Sequence, residues 1–108
     1  PQPMLVYDVA TFRFVDINNA AIQHYGYGIE EFRQMTIHDL LIPPSQPVGL
    51  TPSNLPTDNP PHTFGEVVRH RKKNGEAMIL NITKSRVLYK GKECELAIAN
   101  DVTEKLQR

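Results

Sequence analysis

Four histidines, one cysteine and twelve acidic residues are the groups in this 108-residue chain best suited to do chemistry. His24, His38, His62 and His70 are scattered singly, without the short repeated spacings that gather ligands round a metal ion. No metal centre is expected from them. His24 is the best placed of the four to face a pocket and respond to pH, a helix surface being its plainer role. Cys94 lies in an apolar run and reads as a small core residue rather than a nucleophile. Asp39 and Glu66 stand out only as acids. No carboxylate pair shares a face, no Gly-rich phosphate loop is present, and no nucleophile has a recognisable base. The domain is therefore not expected to be an enzyme.

The most organised polar constellation is at the end, in "ANDVTEKLQR". Asp101 stands three positions before Glu104, the arrangement that caps a helix start, with Thr103 between them. A helix that opens four residues before the chain stops is expected to continue elsewhere. With the opening Pro-Gln-Pro, which lacks an initiator Met, this points to a piece of a longer protein.

Twelve basic residues balance twelve acidic ones, which argues against a polyanion binder. The local run Arg69-His70-Arg71-Lys72-Lys73 reads as a solvated hairpin end, so no nucleic acid is expected as a partner. No apolar segment approaches the roughly 20 residues of a membrane helix, and no membrane contact is expected. A single cysteine cannot close an internal disulfide, which makes a reducing, cytoplasmic setting the default.

The elements that must position these groups follow from periodicity and turn chemistry. Met4–Tyr7 and Phe12–Ile17 form a first hairpin. Asn18 and Asn19 offer N-caps to a short helix whose Ala21, Ile22 and Tyr25 share a face, ended by Gly26. Gly28–Gln34 forms a second short helix, and Thr36-Ile37-His38-Asp39 opens a third. Pro43–Thr63 holds seven of the nine prolines and can be neither long helix nor central strand. Extended runs Phe64–Lys72 and Ala77–Leu88 then flank Asn74-Gly75, a hairpin dipeptide. A further turn at Lys90-Gly91 leads into Glu93–Ala99. The fold class is α+β: a five-stranded antiparallel sheet with its helices on one face. Cys94, Leu96 and Ile98 point one way and Ala97 and Ala99 the other. The small residues are expected on the outer face, covered by a flanking helix or a second subunit.

This order resembles a PAS domain, the sensory module of bacterial histidine kinases and diguanylate cyclases. Four stretches carry the likeness: "FVDINNAAIQHYGYGIEEF", "TIHDL", "EVVRHRKKNGE" and "ANDVTE". The resemblance implies a single sensory domain over residues 1–104, with 105–108 starting an outgoing signalling helix. It implies a pocket between sheet and helices, with Tyr25, His24, Leu80, Ile82, Leu96 and Ile98 as candidate lining. It also implies a relay in which Asp101 pairs with Lys72 or Lys73 while Thr103 fixes the helix start.

Two features depart from the family pattern. Gly28 stands where a capping Ser is usual, and the proline-rich segment replaces a longer helix. Light-sensing relatives carry their flavin beside a Cys in an Asn-Cys-Arg motif, which Cys94 lacks. Haem-binding relatives use a His ahead of the third strand, a role that Pro60-Pro61 beside His62 argues against. Neither flavin nor haem is expected. The implied partners are an output domain, a second copy in a homodimer, and a small-molecule ligand. The alternatives are a ligand-free dimerisation and relay module, or a small-molecule-binding or catalytic domain that shares the architecture.

Overall fold

A computed structural model describes residues 2–43, 45 and 66–103. The rest of the proline-rich stretch, His62 and Glu104–Arg108 lie outside the described residues, as do the expectations that fall on them. Five strands form one antiparallel sheet: β1 (Met4–Asp8), β2 (Phe14–Ile17), β3 (Glu66–Arg71), β4 (Ala77–Tyr89) and β5 (Lys92–Asp101). Their order across the sheet is β2-β1-β5-β4-β3. The chain's two terminal strands are therefore neighbours at its centre. Between β2 and β3 come α1 (Asn19–Tyr25), α2 (Ile29–Arg33) and a 3₁₀ turn (Ile37–Asp39).

Local chemistry explains each boundary. Asn18 accepts from the Ala21 amide through Oδ1 at 3.0 Å, and the same oxygen takes the Met4 amide of β1 at 2.9 Å. One side chain thus caps α1 and fixes where it leaves the sheet. Gly26, at φ 88°, ends the helix in the left-handed region. At α2, Gly28 supplies no side chain, but Glu31 reaches back to the Gly28 amide at 3.0 Å. The Lys90-Gly91 hairpin has both central residues at positive φ, 51° and 79°, as a two-residue turn between twisted strands requires. At Asn74-Gly75 only Gly75 is left-handed, and Asn74 instead accepts from the Glu76 amide through its side chain.

The second strand starts at Phe14 rather than Phe12. Phe12 sits in the turn at φ 65°, its amide bonded to the Asp8 carbonyl and its carbonyl to the Ile37 amide.

The core lies between the sheet and the helices. Leu5, Tyr25, Phe32, Leu40, Leu80, Ala97 and Ala99 are all buried in it. The sides of β5 are thus the reverse of the sequence expectation. Ala97 and Ala99 face inward, and Leu96 and Ile98 lie half-buried on the outer face. The reason is spatial: Ile82 pairs with Ala99 and Leu5 with Ala97. Small residues on the central strand leave room for the large side chains beside and above them.

Candidate functional site

Two groups of polar side chains meet at the C-terminal end of α1. At the first, His24 Nε2 lies 2.7 Å from Asp101 Oδ2, both side chains being partly exposed. The other Asp101 oxygen accepts from the Thr103 amide at 2.9 Å and from the Thr103 hydroxyl. Thr103 Oγ1 in turn accepts from the Ile79 amide at 2.9 Å, and the Val102 amide donates to the Ile79 carbonyl. The end of α1, β4 at Ile79 and residues 101–103 are held at one point. Burial alone would raise the Asp101 carboxyl; the hydrogen bonds from Thr103, with His24 beside it, outweigh that and hold it below the usual carboxylate range.

The second group is inside. Tyr25, wholly buried, places its hydroxyl 2.8 Å from His70 Nδ1. His70 is itself buried on β3. Burial, with help from the Lys84 ammonium, pushes it down to about 4, so it is neutral at pH 7.

His70 forms part of the wall of a cavity of about 230 Å³. Tyr7, Val68, Ile82 and Ala97 line it from the sheet, and Phe12, Ile37, His38 and Leu41 from the opposite side. Lys84 and Glu66 complete the lining, with Nζ 3.7 Å from the carboxylate.

Adjacent residues of α1 therefore reach the two groups: Tyr25 touches the cavity histidine and His24 the Asp101 carboxylate. Comparison with known proteins decides the family. The family model described as PAS domain matches residues 1–104. The chain belongs to the PAS domain family.

Solved PAS structures share the fold. That of a PAS domain from Desulfitobacterium hafniense superposes with a TM-score of 0.67 at 16% identity, over 93% of this chain and 92% of that one. A PAS domain from a two-component sensor histidine kinase gives 0.67 at 11%, over 93% and 84%. One from an HTR-like protein of Haloarcula marismortui gives 0.65 at 16%, over 94% and 86%. No curated protein matches the sequence. PAS domains are generally sensory modules of signalling proteins.

Within this PAS domain several expected residues have other places. Asp101 pairs with His24 rather than with the hairpin lysines. Lys72 bonds Glu76 within the hairpin, and Lys73 bonds Glu31 on α2. Of the six expected lining residues, Ile82 is on the cavity wall. Tyr25 and Leu80 are buried in the core, His24 bonds Asp101, and Leu96 and Ile98 are on the outer face. The basic run is not a solvated end throughout, because Arg69 and His70 are both buried. Arg69 donates to the Pro43 carbonyl.

Lys84 is not singled out by sequence reasoning, and His70 is read there only as a scattered histidine within a solvated basic run. A signal for His70 exists: it is two residues from Val68, so strand alternation puts both on the inner face.

Proposed function

We propose that this PAS domain is a sensory relay, binding a small ligand in its cavity and passing the altered packing through α1 to the outgoing segment at Asp101–Thr103. The observation that carries the reading is that neighbouring residues, Tyr25 and His24, contact the cavity wall and the exit respectively. A ligand that favours one packing of α1 shifts the population in which the Asp101 clamp is closed. The open cavity favours a binding domain over a ligand-free relay. The receiving partner is an output domain such as a histidine kinase or diguanylate cyclase, in a cytoplasmic setting. No helix among the described residues is long and apolar enough to cross a membrane.

Asp101→Ala tests the relay. In the parent protein joined to its output domain, output should cease to follow the signal. Stability should fall by only about 1–2 kcal/mol, since the carboxylate is partly exposed. Signal-dependent output that persists unchanged, with the folded state confirmed by circular dichroism, ends this role.

Met4, Val6, Leu96 and Ile98 together support a homodimer through the outer sheet face, where Met4 pairs with Ile98 and Val6 with Leu96. Leu96→Lys should weaken self-association by about tenfold or more in sedimentation velocity. A wild-type chain that stays monomeric at millimolar concentration removes the dimer.

A further inference from the structure

We infer that the cavity takes a small aromatic carboxylate, its anionic group on Lys84 and its ring between the Phe12 side and the apolar sheet floor. The inference deepens the sensory reading above and rests on it.

The polar lining is rich in donors. Lys84 brings an ammonium, and it stands close enough to the Tyr7 hydroxyl to interact with it. His70 adds a third donor. The buried Tyr25 hydroxyl occupies His70 Nδ1 at 2.8 Å, and in the tautomer in which that hydroxyl donates to Nδ1 the ring proton resides on Nε2. The acid on the wall, Glu66, is 61% exposed and its oxygen is 3.7 Å from Lys84 Nζ. That is a loose, solvent-screened pair. A ligand carboxylate held within the cavity would form a shorter, better-desolvated bond to the same ammonium.

The rest of the lining is apolar and in part flat. Phe12 and Leu41, both on the lining, are 40% and 42% exposed overall, and the Phe12 ring lies 4.5 Å from that of His38, tilted by 43°. A phenylalanine at φ 65° is in the strained left-handed region. The backbone bonds to Asp8 and Ile37 keep it there, presenting the ring to the cavity. Walls of this kind match a planar ring and offer little to a sugar or a free phosphate. A volume of about 230 Å³ falls below the roughly 300–1,000 Å³ of sites for drug-sized ligands, so one ring with a short acid is the scale.

Titrating the 108-residue chain with benzoate, benzyl alcohol and acetate, followed by amide NMR shifts, tests this. Benzoate should saturate with shifts centred on Phe12, Ile82 and Lys84, binding at least about tenfold more tightly than either control. Lys84→Met should lower benzoate affinity by about tenfold and leave benzyl alcohol unchanged, with Lys84→Arg retaining benzoate. A thermal melt confirms that both variants fold. Absence of saturable benzoate shifts overturns the inference. So does equal binding of benzyl alcohol, or indifference to Lys84→Met. If benzoate fails while Asp101→Ala still uncouples output, the ligand class falls and the relay stands. If benzoate binds as described while Asp101→Ala changes nothing, the relay falls and the cavity assignment stands.

Discussion

Tyr25→Ala is expected to destabilise the domain by about 3–5 kcal/mol, a large part of the roughly 5–15 kcal/mol that holds such a domain folded. The ring is wholly buried. It lies edge-on to Phe32 with centroids 6.1 Å apart, and Phe32 is edge-on to Phe14 at 5.2 Å. Removing the ring leaves a cavity at the junction of α1, α2 and the sheet. The milder Tyr25→Phe isolates the hydroxyl. It leaves His70 Nδ1 buried without its hydrogen-bond partner, at about 1–3 kcal/mol. In Tyr25→Phe/His70→Leu both polar partners are gone, so much of that loss should return. Urea unfolding of the four chains of this cycle gives the coupling directly. Additive single effects would mean that the hydroxyl and the imidazole do not act as a pair.

The second large effect is an acid loss of stability in two stages. His70 has a folded-state pKa of about 4 against an ordinary 6.5, because it is buried and faces the Lys84 charge. The native state therefore binds fewer protons than the unfolded chain between those values. Its contribution is complete above about pH 6.5 and is lost as pH falls through 4, amounting to about 2–4 kcal/mol. Asp101 is also held below its ordinary value, 3.8. Its contribution is present above that pH and is lost lower still, as the carboxylate protonates and the Thr103 bonds weaken. Urea unfolding at pH 7.5, 5 and 4 should show the first stage. His70→Gln should flatten it and leave the lower one. A wild-type stability constant from pH 7.5 to 4 would contradict the buried neutral imidazole.

Where local chemistry decides an element, the sequence is legible. Asn18 before an alanine-rich turn, the Asn-Gly and Lys-Gly hairpins, and the alternation of β4 all specify structure within a few residues. The sides of β5 are a different problem. Both its faces are apolar, so period-two alternation cannot say which is inward. Only the cross-strand register, Ile82 opposite Ala99, shows that the alanines share a face with the core. The same limit hides the site. His24 and Asp101 are 77 residues apart, and Tyr25 and His70 are 45 apart. No local pattern links either pair. His70 is further disguised by Arg69 and Arg71 beside it, which strand alternation turns to the opposite face.

The placement of the two terminal strands at the centre of the sheet has a mechanical consequence. Antiparallel β1 and β5 pair Met4 with Ile98, and the Ala99 amide donates to the Pro3 carbonyl, so the chain enters and leaves at the same end of this ladder. Tension applied through the flanking segments would load those hydrogen bonds one at a time, peeling the pair apart like a zipper instead of shearing all its rungs together. A domain of ordinary thermal stability would then yield to a weak pull, and the first rungs to open would be those beside Asp101.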